Sequence, residues 1–373
     1  ASPSAAVPPV GPAPSPTYVG DILERMTRRA TSLIVATITL VVMVTVAFWV
    51  KLPYVVMSPG LTEDTLGEFD GEPVITIEGQ QTYPTTGRLD LTTVSVTRPE
   101  YRPRLPEVLN AWWSRDDAVL PDEAVYPSDR TPEEFEKQKS QQMLDSQDAA
   151  VVAGMTQAGF DAMDVRVGGT QPGLPAAGKL RTGDVIVAVD NVPVTTVTAL
   201  IEDIKTRPVG SEITVTVLRD DKERTYSMTT APDDENPSDS RIGVSLEEVF
   251  NPPFQVNIDL GQEIGGPSAG LMFSLGIYDK LTPGPLTGGR FVAGTGTIEA
   301  DGKVGPIGGI QQKLAAAEHA GADVFLAPAD DCGDAVGSPY LDDFEVIKVA
   351  TIDDAIAGLE ALDSGDTASI PRC

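Results

Sequence analysis

The chain has 373 residues, 41% of them apolar, few aromatics, and a net charge of −28. That length holds two or three domains with a real buried core. The charge, which no basic cluster interrupts, excludes a phosphate-tracking surface and with it nucleic acid as a partner. Two cysteines and a single histidine, His319, make no zinc ligand set, so neither metal nor cofactor is expected.

Residues 1–17, "ASPSAAVPPVGPAPSPT", lack any apolar pattern, and residues 1–29 are predicted to be a disordered cytoplasmic tail. Ala30 to Val50 runs without a charge. At about 1.5 Å per residue it spans roughly 30 Å, the hydrocarbon thickness of a bilayer. Phe48, Trp49 and Val50 close the run where a signal peptide would have small residues, which favours an uncleaved transmembrane helix over a cleaved leader or a buried core helix. Arg25, Arg28 and Arg29 precede it and Lys51 follows. The positive-inside bias then puts the N-terminus in the cytoplasm, residues 30–50 in membrane lipid and the bulk outside the cell membrane. On that side the medium permits a disulfide between Cys332 and Cys373; two separate thiols are the alternative.

Between residues 51 and 149, "EPVITIEG" and "GRLDLTTVSVT" alternate as strands. "TPEE" from Thr131 offers an N-cap, a proline at the first helical position and Glu134 for a capping box, predicting a helix through Met155. Residues 100–130, with Trp112 and Trp113, suggest no chemistry. "GLPAAGK", Gly173 to Lys179, mimics a phosphate-binding loop. Leu180 follows where a hydroxyl should hold magnesium, and Pro175 interrupts the amide cradle.

The wider stretch fits better: "GKLRTGDVIVAVDNVPV" as turn and strand, a helix over about 196–206, then "EITVTVLR" and "ERTYSMT" as a strand pair. Residues 150–232 resemble a bacterial PDZ domain. The resemblance implies binding of extended peptides at a sheet edge, or a module that only braces its neighbour.

Past residue 240, "EIGGPSAGLMFSL" places Ser268 at a helix start. Free amides and the positive end of the macrodipole there would stabilise an oxyanion, although a serine so placed is commonly just a cap. A nucleophile needs a base. His319 does not supply one: it lies six positions beyond Lys313, about 240° around the helix, among Gln312 and Glu318 on the expected solvent side. Lys313, in "GPIGGIQQKLAAAEHAG", shares its face with Ile310, Leu314 and Ala317 over a helix predicted from Ile310 to Ala320, ended by Gly321. Burial on that face would strip the amine of its proton.

These stretches, with "AGTGTIEADGKVGPIGGIQQKLAAAEHAGADVFLAP" and "VATIDDAIAGLEAL", resemble the Lon-type serine peptidases. The order of anchor, PDZ module and Lon-type domain resembles the membrane-anchored PDZ-Lon peptidases of Gram-positive bacteria, the YlbL-like proteins. The resemblance implies an α+β chain: one N-terminal transmembrane helix, a PDZ-like β-rich module and a Lon-type α/β proteolytic domain over 240–362. Residues 51–149 would pack on that domain, and 363–373 would form a tail. It implies Ser268 as nucleophile, Lys313 as general base and Thr295 as the hydroxyl that orients the lysine. Read from the residues alone, Thr295 is a strand residue between Gly294 and Gly296, before a hairpin turn at Asp301 and Gly302. Flexible or unfolded polypeptides would be the substrates, cleaved without ATP, and homo-oligomers, hexamers included, are implied by the family's rings. Some relatives carry an acidic residue three positions before the serine; this chain has Gly265 there, with Glu263 further back. A non-catalytic tethered scaffold is the rival reading.

Overall fold

The computed structural model describes residues 16–126, 131–261 and 266–373, with the backbone alone at residues 16–27, 29, 132, 133 and 136. Gly265, Glu263 and residues 1–15 of the expected tail lie outside the described residues. Helix α1 spans Pro16–Trp49. It starts well before the apolar run, so residues 16–29 are helical rather than a disordered tail; from Ile22 to Met26 they are good helix formers, with no proline after Pro16. Its portion Ala30–Trp49 is long and apolar enough to cross a membrane, with mean hydropathy 2.3 and none of it buried inside the protein.

There follow β1 (Tyr54–Asp64), β2 (Ile75–Glu78), β3 (Arg88–Val96), α2 (Leu105–Trp113), β4 (Ala118–Pro121) and α3 (Pro132–Gln157). The predicted capping box opens α3: the Glu134 amide donates to Thr131 Oγ1 at 3.2 Å, and the Thr131 amide donates to Glu134 Oε2 at 2.9 Å.

The next six elements form a module of their own: β5 (Met163–Thr170), β6 (Val185–Val189), α4 (Val197–Thr206), β7 (Glu212–Arg219), β8 (Lys222–Thr229) and β9 (Val244–Phe250). Its sheet runs β8-β7-β6-β5-β9 with antiparallel neighbours, over a core that includes Val167, Ile186, Leu200, Ile204 and Val215. The module therefore extends beyond residue 232. Residues 244–250, expected in the following domain, are its edge strand, because β9 pairs with the module's first strand and no local pattern announces so distant a partner.

The chain then returns with β10 (Gln255–Ile258), α5 (Gly270–Leu281), β11 (Phe291–Gly294), α6 (Ile310–Ala320), β12 (Val324–Pro328), β13 (Glu345–Val349) and α7 (Ile352–Ser364). One mixed sheet, β13-β12-β11-β3-β1-β4, joins strands from both sides of the inserted module. β3, β11, β12 and β13 are parallel neighbours, whereas β1 runs antiparallel to β3 and β4. Alternation along the strands fills both faces. Leu89, Leu91, Val292 and Leu326 pack with α3, α5 and α7, while Ala293, Phe325 and Ala327 pack with α6. Where α3 crosses α5, a Cβ on Gly154 would stand 2.6 Å from the Ser274 carbonyl oxygen, so a side chain there would force the helices apart.

A disulfide joins Cys332 to Cys373. The segment ahead of Cys373 lies along β13: the Lys348 amide donates to Pro371 O at 2.8 Å, Arg372 pairs with Glu345 at 2.7 Å, and Ile370 is buried.

The phosphate-loop-like stretch is part of the module's scaffold. Lys179 Nζ donates to the Ser227 carbonyl at 2.7 Å, and its own carbonyl accepts from Arg219 Nη2 at 2.8 Å. Arg219 also grips the buried Asp184 with two bonds of 2.6 Å. Burial alone would raise the Asp184 pKa; the Arg219 bonds and the Arg181 amide outweigh it and hold the carboxyl below its usual 3.8. Its stabilisation is therefore present above about pH 4 and is lost as pH falls further. Asp184→Asn is expected to cost about 3–5 kcal/mol by stranding Arg219. Urea unfolding followed in the module should show the loss at pH 7 and a difference that shrinks as pH falls below about 4; equal stability at pH 7 would refute the pairing's role.

Candidate active site

Gly266, with φ 112°, turns the chain into a short 3₁₀ turn, Pro267–Ala269, that runs straight into α5. Ser268 sits on this turn, half-buried, at the positive end of the helix. Two neighbours hold the turn. The Gly296 amide donates to Ser268 O at 2.8 Å and the Leu271 amide donates to Gly296 O at 3.1 Å. Behind them, Ser146 Oγ on α3 donates to Pro267 O at 3.0 Å. Gly270 is needed for this approach: a Cβ there would lie 2.7 Å from Ile298 Cγ2 and 2.8 Å from Ser146 Oγ.

Lys313 projects from the apolar face of α6 and is 1% exposed. Its Nζ lies 2.8 Å from Ser268 Oγ and 2.7 Å from Thr295 Oγ1. Thr295, fully buried just after β11, donates its own hydrogen to Ser268 O at 2.9 Å. The Thr295 oxygen is thereby an acceptor toward lysine. As an ammonium, Lys313 donates to both hydroxyls. Burial lowers the Lys313 pKa from 10.5 to about 7, against an opposing pull from the Asp331 carboxylate. Near neutral pH the amine can thus accept a proton.

The three residues singled out in the sequence stand together. His319 is half exposed, with Nε2 3.8 Å from Asp116 Oδ2, away from the serine. Gln312 departs from expectation. It is buried rather than solvent-facing, because Nε2 donates to the Asp116 carbonyl at 3.2 Å and the loop after α2 covers it. Asp331 and Ser146 escaped the sequence reading. Asp331 Oδ2 accepts from the Ile307 amide at 2.9 Å, fixing the loop that leads into α6. Its only signal was its place beside Cys332.

Comparison with known proteins gives the class. Residues 135–230 match the family model of the PDZ domain, and residues 262–361 match that of the Lon protease (S16) C-terminal proteolytic domain. Lon protease 2 of Bacillus subtilis is 33% identical over 101 residues, 27% of this chain and 18% of that protein. The Lon protease of Vibrio parahaemolyticus is 38% identical over 93 residues, covering 24% and 12%. The chain thus spans less than a fifth of the length of these relatives. A solved PDZ domain from the SdrC-like protein of Listeria monocytogenes is 24% identical, covering 23% of this chain and 88% of that one, with a TM-score of 0.21. The protein joins a PDZ domain to a Lon-type proteolytic domain, with one apolar helix near the N-terminus.

Proposed function

We propose that this chain is a membrane-anchored serine endopeptidase that works without ATP, using Ser268 as nucleophile and Lys313 as general base. One observation carries the reading: a buried lysine amine, its pKa brought down to about 7, within 2.8 Å of a serine hydroxyl at a helix N-terminus. Neutral Lys313 takes the Ser268 proton as Oγ attacks the peptide carbonyl. The amides of Ser268 and Ala269, at the positive end of the helix, would stabilise the oxyanion. The ammonium then protonates the leaving amine, and the same lysine activates the water that releases the acyl group.

The reading places the apolar part of α1, Ala30–Trp49, in a membrane, with residues 1–29 in the cytoplasm and the chain beyond the anchor outside the cell, an oxidising location consistent with the disulfide. Substrates would be flexible or unfolded polypeptides. A groove of about 540 Å³, with Ile201, Ile204 and Leu246 of α4 and β9 on its apolar side and the polar segment 233–243, including Asp239 and Arg241, on the other, suits an extended peptide added to the β9 edge. Glu248 Oε1 accepts from the Val197 amide at 2.8 Å and ties β9 to the start of α4.

Ser268→Ala should abolish cleavage of an unfolded reporter polypeptide. In the parent, kcat/KM should climb with pH through about 7 and level off above it, as the neutral amine becomes the dominant form. Turnover by the alanine variant, or a rate flat from about pH 5 to 9, would defeat the assignment. Thr295→Val frees the lysine to turn from the serine; a kcat loss of roughly tenfold or more with KM little changed is expected. An unchanged kcat would leave Thr295 with a packing role only.

A further inference from the structure

We infer that residues 98–115, centred on α2, form a second membrane contact that lies in the headgroup layer of an anionic bilayer beside the end of α1. The inference rests on the reading of α1 as a membrane anchor.

Helix α2 has two apolar faces. Val108 and Ala111 pack inward. Leu105, Leu109, Trp112 and Trp113 recur at i, i+4, i+7 and i+8 on the adjoining side, where Trp112 is 72% and Trp113 85% exposed. Adjacent tryptophans so open to water mark a surface built to be covered.

The position of α2 says by what. The Arg104 guanidinium stacks over the Trp49 ring at 4.7 Å, the backbones of Lys51 and Arg104 form an isolated antiparallel β-bridge, and the Leu52 amide donates to Pro103 O at 3.0 Å. Trp49 closes the apolar run of α1, so the boundary of the hydrocarbon passes beside the start of α2. The patch is thus continuous with the surface that the anchor itself presents to lipid.

Charge points to the same occupant. Lys51, Arg98, Arg102, Arg104 and Arg115 are all exposed here. Residues 98–115 carry four arginines against Glu100 and Glu107, a net +2 in a chain of −28. Asp116, which follows, is turned inward onto Tyr340. Tryptophan and arginine together are the side chains that settle at a bilayer interface, and anionic headgroups complement the cations. Since the Asp116 carbonyl holds Gln312, next to Lys313, this contact would also fix how the active site stands over the membrane.

All three tryptophans of the chain, Trp49, Trp112 and Trp113, lie in this region, which makes a direct test available. The full chain is reconstituted in phosphatidylcholine vesicles containing phosphatidylglycerol, with bromine on the acyl chains as a fluorescence quencher. Trp49→Phe leaves only the α2 pair emitting; Trp112→Phe/Trp113→Phe leaves only Trp49. The expected result is that both variants lose most of their emission to bromolipid, and that the α2 pair recovers it in pure phosphatidylcholine or when Arg98, Arg102 and Arg115 become Gln. Quenching of Trp49 with an α2 pair still open to iodide overturns the second contact and leaves the anchor standing. No quenching of Trp49 overturns the anchor reading itself. An α2 pair shielded from iodide only as protein concentration rises, and untouched by bromolipid, assigns the patch to a second copy of the chain. Equal quenching in neutral lipid overturns the anionic preference.

Discussion

A Lys313→Met variant is expected to lose peptide-bond cleavage altogether and yet to be more stable than the parent. The loss follows from the reading of Lys313 as the acceptor of the Ser268 proton, 2.8 Å away. The gain follows from burial. In the unfolded chain the amine titrates near 10.5, but in the folded protein near 7, so between those values the unfolded state binds more protons and stability rises with pH. At neutral pH the fold therefore carries a standing cost on the order of 2–4 kcal/mol, which methionine, of similar length and uncharged, removes. Urea unfolding should show the variant ahead at pH 7 and the two converging toward pH 10. A variant less stable at pH 7 would mean that the bonds to Thr295 and Ser268 outweigh desolvation.

The second large effect is expected at the disulfide. Cys332 and Cys373 are 41 residues apart, and closing a loop of that size stabilises by about 4 kcal/mol in the chain-entropy account. Cys332→Ser/Cys373→Ser should lower the urea midpoint accordingly and release Ile370 and the strand-like pairing of Arg372 with Ile347. Reductant should act likewise on the parent and leave the variant alone. An unchanged midpoint in reductant would show that the packing of the segment on β13 suffices.

The elements that local pattern dictates are legible in the sequence. α6 begins at Ile310 and ends at Ala320 because an apolar face and Gly321, in the left-handed region at φ 85°, say so. The strands Val185–Val189 and Glu212–Arg219 follow from alternating or continuous apolar residues between turn signals. Lys313 could be picked out because burial of one helix face is a one-dimensional property. Partners far apart in sequence were not legible. β9 looks like any short strand, and only its pairing with β5 assigns it to the module. Gln312 reads as a surface residue until the loop at Asp116 is laid over it. The hold of Ser146 on Pro267 spans 121 residues, and a serine in mid-helix gives no hint of it.

The joint between the two folded parts has a practical meaning for engineering. Met163 and Phe250, the points where the chain leaves for the module and comes back, face one another across the β5–β9 ladder. Antiparallel partners stand about 5 Å apart, near enough for a short hairpin to connect. The intervening stretch is in effect a cassette, removable or exchangeable with little disturbance to the rest. An excision drawn instead at residues 135–230 would strip out most of α3, and with it the Ser146 brace beneath the nucleophile, while leaving β9 orphaned.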